Sequence, residues 1–354
     1  MTQGLPKRWF MFAGHYSKLL ASLLAATACC FFTAPESRAQ QVVNGVQVFP
    51  PTSIFNTRID NLPVDKNSSK YVKSLGSSVH FHPDWGTDPT YGIPYNVVTN
   101  SSNPLIDTPV IYYADESDLG PYPHVTTTNT QIEGYYWSDA QNSGDRHVLQ
   151  VDITNGTLYE MWNTDFNGAQ LTAGSGAIFS LNSNALRPDG FTSADAAGLP
   201  IFPLLVNYAE ASGPNPIAHA FRFTAGHTSG SNGHIWPARH STSANPAYPP
   251  FGQRFRLKKS FNISKFSSIN KKILTAMKEY GIFYADGGSP WYVTGAPDPG
   301  WDDNDLDNLK SLTGSDFEAV DESSLMAGAD TGAASATKPQ LPPAPKPTPW
   351  PKVK

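Results

Sequence analysis

A glutamate and a tryptophan two residues apart, Glu160 and Trp162 in TLYEMW, form the pair whose types and spacing first suggest chemistry. In an extended strand, residues i and i+2 share a face. A carboxyl group and an indole would then sit side by side, the ring to stack on a sugar and the acid to address its glycosidic oxygen. Glycoside hydrolysis needs a second carboxyl group. Glu133, in IEGYYWSD just upstream, is the first candidate, with Asp145 in GDRHV as a reserve. One of the two must stay protonated through burial while its partner stays ionised. Trp137 and Trp236 are further candidate sugar platforms beside Trp162. On this view Glu160→Gln abolishes turnover and leaves the fold intact.

The other polar clusters permit a second enzyme class. In a polysaccharide lyase, Arg146, Arg187 or Arg239 would neutralise a uronate while His82, His147 or His240, with a tyrosine, abstracts the neighbouring proton. Asp195, in TSAD, belongs either to a polar network around a substrate or to a helix start. A third, non-catalytic possibility is a carbohydrate-binding or envelope protein, which needs only the aromatics. Two alternating histidines, His80 and His82, and the loop histidines His227, His234 and His240 are too few and too loosely spaced to define zinc. The acidic run WDDNDLDN lacks the mid-loop glycine and terminal glutamate of an EF-hand. No phosphate-binding loop and no Gly-x-Ser-x-Gly elbow occurs. No metal and no other cofactor is therefore expected.

The elements that must carry these residues read mostly as short strands: PVIYYAD, HVLQVDI, TLYEMWN, HAFRFTA, QRFRLKKSF and IFYAD. Asn155-Gly156 between two of them is a strong hairpin signal, since both central residues of a type I′ turn take positive φ. That turn would pair Thr154 with Thr157, Val151 with Glu160 and Leu149 with Trp162. His147, Leu149, Val151, Glu160 and Trp162 would share one face, with Arg146, Val148, Gln150, Asp152, Tyr159 and Met161 on the other. Helices are few. SSKYVKSLG begins at Ser68 or Ser69 and stops at Gly76, and SSINKKILTAMKEYG aligns Ile269, Ile273, Met277 and Tyr280 before Gly281. A third starts within WDDNDLDNLKSL. The expected fold is mainly β, a jelly-roll-like β-sandwich with two or three short peripheral helices.

The chain termini read differently. Lys7, Arg8 and Lys18 precede an apolar run from Leu19 to Phe32, and Ser37-Arg38-Ala39 has the small residues of a cleavage site. This is the layout of a signal peptide over residues 1–39, and it implies a secreted protein, periplasmic or extracellular. No later segment is apolar enough to span a membrane. Both cysteines, Cys29 and Cys30, fall within the leader, so the remaining chain has neither a disulfide nor a thiol nucleophile. Residues 40–322, expected as a single β-rich domain, carry 17 basic and 28 acidic groups, a net −11. Such a body repels nucleic acid and anionic membranes and suits a polysaccharide or cell-wall glycan as partner, bound by a monomer. Residues 323–354, rich in small residues and then in proline, are expected to be a disordered tail.

The motifs GDRHVLQVD with TLYE, AGSGAIFSLNSNALRPDGFTSADAAGLPI, IWPARH and GSPWYVTGAPDPGWDDNDL resemble those of a widespread family of exported, β-rich bacterial proteins. The resemblance covers roughly residues 50–321. It implies one integral domain and brings no catalytic residue with it.

Overall fold

The computed structural model describes residues 41–135, 137, 144–226, 233–242 and 247–335 of the 354-residue chain. The expected leader, the segment after Ser335 and His227 lie outside the described residues.

Strands dominate and form two main sheets. In the first the order is Ser175–Ser180, Thr157–Trp162, Val148–Asp152 and Tyr95–Val98. The first three are antiparallel neighbours, and Tyr95–Val98 runs parallel to Val148–Asp152. The second sheet has six strands: Phe317–Ala319, Arg254–Leu257, Ile282–Gly287, Phe221–Ala225, Tyr292–Thr294 and His82–Asp84. Phe221–Ala225 pairs parallel with Ile282–Gly287, and Tyr292–Thr294 parallel with His82–Asp84. Three pairings are thus parallel, where a jelly roll has antiparallel neighbours throughout. Parallel neighbours require long crossovers, and the helix Ser268–Glu279 lies in one of them.

Both sheets contribute to one buried cluster. Leu149, Val151, Leu158 and Phe179 come from the first, and Phe221, Phe223, Phe255, Ile282 and Val293 from the second. The opposite face of the four-stranded sheet, with Val148, Tyr159 and Met161, packs a smaller cluster containing Tyr122, Ile132 and Trp137. A sheet covered on both faces needs apolar residues at nearly every position, and every residue of Val148–Asp152 is buried.

The helices are Ser68–Leu75, Ser268–Glu279 and Asp303–Leu306, as expected, with a fourth, Tyr208–Ser212, capped by Asn207. Ser267 caps the longest by accepting from Asn270 N, and its inward face carries Ile273 and Met277. Gly281 follows with φ +73°. The first helix starts after Asn67, since the Ser68 hydroxyl accepts from Ala319 N instead. Asp302 caps Asp303–Leu306 by accepting from Asn304 N and Asp305 N, as expected for acidic residues at a helix start. No helix starts at Thr192-Ser193-Ala194-Asp195, where the chain turns.

Folded structure includes residues 323–335, which lie beyond the expected boundary at Glu322. A hairpin of Met326–Gly328 and Thr331–Ala334 lies against the body, its Gly332 N donating to Asn184 O (2.6 Å) and its Ala334 N to Thr52 O (2.8 Å). Small residues that read as low complexity are what permit this close approach. Trp236 Nε1 donates to Thr331 O at 2.8 Å, and Arg239 donates to Ala329 O and Asp330 Oδ1 at 2.8 and 2.7 Å. Arg239→Ala should therefore release the hairpin and destabilise the protein by about 1–3 kcal/mol. Hydrogen exchange over 326–334 measures the release; unchanged protection there would contradict this role.

Candidate active site

Asp152 sets the geometry of the central hairpin. Its carboxylate accepts from Thr154 N at 2.8 Å and Asn155 N at 3.2 Å, and only Gly156 of the Asn-Gly pair has positive φ (+62°). The result is a four-residue loop that pairs Asp152 with Thr157, Val151 with Leu158 and Leu149 with Glu160. The register differs by two residues from that of a type I′ turn. Because side chains alternate with a period of two, an even shift leaves each on its expected face. Leu149, Val151 and Glu160 do share one face, directed at the main core.

That face is closed at Glu160. The residue is fully buried, and its carboxylate accepts from Ile201 N (2.9 and 3.0 Å) and Phe202 N (2.8 Å), holding the start of the turn Phe202–Leu204. With no exposed surface and its oxygens engaged by backbone N–H groups, it is not open to a glycosidic oxygen, so that expectation is corrected: Glu160 is a structural cap. Burial pushes its pKa up to about 7 against the backbone N–H groups that favour the carboxylate. A folded pKa above the ordinary 4.5 gives stabilisation that is complete below about 4.5 and lost as pH rises through about 7. Glu160→Gln should leave any turnover unchanged and remove this pH dependence, worth up to about 3 kcal/mol. Urea unfolding of both proteins on either side of that window is the check. An unflattened profile would show that Glu160 is not its source.

Glu133 is no partner for Glu160. It accepts from His147 Nδ1 at 2.8 Å, while His147 Nε2 donates to Ala194 O at 3.0 Å. Burial opposes charge on this imidazole, but the Glu133 carboxylate outweighs it and lifts the pKa to about 9. An imidazolium holding two acceptors cannot serve as a base. The pair ties the central strand to the loop at Ala194.

The opening lies at the end of the hairpin. Trp162 is half-buried, and its Nε1 donates to Asp145 Oδ1 at 3.0 Å. Asn163 N donates to Asp145 O at 2.7 Å, fixing that residue beside the indole. The rings of Tyr112 and Tyr113 lie 6.3 and 5.9 Å from Trp162, tilted by 58° and 48°. Beneath the indole is Gly174, where a Cβ would come within 2.7 Å of the six-membered ring, so no side chain fits there. Tyr113, Asp145 and Trp162 border a cleft of about 420 Å³ whose other walls include Ser193, His240 and Asp286.

Asp286, near the C-terminal end of Ile282–Gly287, is the residue that sequence reasoning missed. It is half-buried, accepts from Gly287 N at 2.6 Å and Ala196 N at 3.3 Å, and lies close enough to Asp195 for the two carboxyl groups to act on each other. Asp195 is fully buried and forms a two-pronged pair with Arg222, through Nε at 2.8 Å and through Nη2. Arg222 Nη1 donates to Thr294 Oγ1 at 2.5 Å. Two carboxylates can hydrogen-bond to each other only if they share a proton. Burial first, and then the charge of Asp195, push the Asp286 carboxyl well above the usual range, with Arg222 pulling the other way. Arg222 takes both oxygens of Asp195, which leaves Asp286 as the carboxyl of the two that burial and its neighbour's charge drive toward the protonated form. Asp84, raised by burial to about 6, is drawn back by the same guanidinium.

His240 borders the cleft, its Nδ1 at 2.7 Å from Ala196 O and its Nε2 at 3.2 Å from Glu116 Oε2. The remaining candidates lie elsewhere. Arg146 is buried and donates to Thr164 O. Arg187 donates to Asp118 and Glu116 O, and Arg239 to Arg187 O and the C-terminal hairpin. Trp137 is buried with Nε1 on Thr130 O, and Trp236 anchors the hairpin. These arginines are not placed to receive a uronate and these indoles are not sugar platforms, because each satisfies a backbone carbonyl inside the protein. His82 stacks on Tyr292 at 3.9 Å and bonds to Tyr91 OH, on the outer strand of the six-stranded sheet. Asp195 stands behind the cleft, not on a helix. Among the described residues, no three His, Asp or Glu side chains are arranged to hold a metal ion.

The sequence matches no family model, no curated protein and no solved structure.

Proposed function

We propose that the protein is an exported glycoside hydrolase, with Asp286 as the proton donor, Asp145 as its partner carboxylate and Trp162 with Tyr113 as the sugar platform. The observation that carries this is the meeting of two carboxyl groups, one of them pushed toward protonation by burial, and two aromatic faces around one cleft. The sandwich-like pair of sheets serves as scaffold. Asp286 passes its proton to the glycosidic oxygen as that bond breaks. Asp145 then attacks the anomeric carbon or removes a proton from the water that does. Asp195 and Arg222 act through Asp286 and hold its proton in place.

Incubation of the purified protein with a panel of polysaccharides tests the proposal. New reducing ends without the ultraviolet absorbance of an unsaturated uronate are the expected result. Absorbance of that kind would indicate a lyase. Retention on a glycan with no cleavage would leave a binding protein. Either outcome overturns the hydrolytic assignment.

A further inference from the structure

The charges around the cleft go further than the reaction and bear on the sugar. Among the described residues bordering it there is no lysine or arginine. The guanidinium groups of Arg146, Arg187, Arg222 and Arg239 are each engaged elsewhere: Arg146 with Thr164 O, Arg187 with Asp118, Arg222 with Asp195 and Arg239 with Asp330. Among the described residues at the wall the one basic side chain, His240, already faces Glu116. Among the described residues bordering the cleft no lysine or arginine pairs with Asp145, which accepts the indole N–H of Trp162; the positive charge that reaches it is that of the buried His147. An anionic sugar would meet carboxyl groups with nothing to neutralise it.

A cation meets the reverse. The faces of Trp162 and Tyr113 carry the negative side of the ring quadrupole and attract an ammonium within about 6 Å of a ring centre. Asp145 is bonded to the edge of that same indole, so one sugar can stack on the ring and place a charged amine against the carboxylate. Residues 40–322 carry a net −11, which draws a polycationic chain toward the surface and repels a polyanionic one. The volume of about 420 Å³ falls within the range of small-molecule sites.

Resting on the hydrolytic assignment of the same cleft, we infer that its ligand is a cationic amino sugar: a glycan with free amines, of the glucosamine type, held between Trp162, Tyr113 and Asp145. The test is calorimetry with three oligosaccharides of equal length, made of glucosamine, N-acetylglucosamine and glucose, at a mildly acid pH that keeps the amine charged. Full-length Asp286→Asn protein serves as host, so that cleavage does not confuse binding. The glucosamine oligomer should bind at least about tenfold more tightly than the other two, and added salt should shrink the difference. Asp145→Asn keeps an oxygen for the indole N–H but loses the charge. In that background the preference should vanish while the affinity for the uncharged oligomers holds. Equal affinities, or binding of none of the three, overturn the inference. A glucosamine oligomer that is bound by the Asp286→Asn host and left uncut by the unaltered protein supports the ligand class and removes the hydrolytic assignment. A neutral glycan cut without preference does the opposite.

Discussion

Asp286→Asn should reduce glycan hydrolysis by about 10²–10⁴-fold, the usual weight of a general acid. The amide NH₂ can still donate toward Asp195, and its oxygen can keep the shorter bond from Gly287 N, so most of the local bonding survives and only the long contact from Ala196 N is given up. What is lost is the proton that leaves. Asp286→Asn should therefore keep its melting temperature and its hold on substrate while turnover collapses. If the loss were in KM instead of kcat, Asp286 would be a binding group and not the acid.

The second large effect is on stability. Arg222→Met should destabilise the protein by about 3–5 kcal/mol, because it strands a fully buried Asp195 carboxylate. For a domain of this size that corresponds to a fall in Tm of about 10 °C. Arg222→Met combined with Asp195→Asn removes both charges and should recover much of the loss, since the pair's net contribution is smaller than the cost of breaking it. Denaturant unfolding of the two variants decides the matter. Equal instability of the single and double variants would mean that packing, not charge, sets the cost.

Local features were legible in the sequence, and non-local ones were not. The period of two placed Leu149, Val151 and Glu160 on one face despite the different loop, and the period of 3.6 located Ser268–Glu279 with its glycine stop. Trp162 and Asp145 were identified because the hairpin ends beside both. Glu160 misled because a carboxyl group among apolar residues signals either catalysis or a buried cap, and the N–H groups that make it a cap belong to residues 41 and 42 positions away. Asp286 was only the last residue of the strand-like run IFYAD. Its significance depends on Asp195, which meets an arginine 27 residues on, and on Ala196, 90 residues back. One local clue existed: Arg222 in HAFRFTA interrupts an apolar strand, and a buried guanidinium demands a buried carboxylate.

Gly174 carries a consequence for how this protein could acquire a different preference. The tilt of its principal aromatic surface is set by the main chain below, where even a methyl group has no room. Selection or design working through side chains alone thus has little leverage on that ring's angle. Tyr113 across the gap and the acid at 145 offer a freer handle, and libraries aimed at altered specificity belong there.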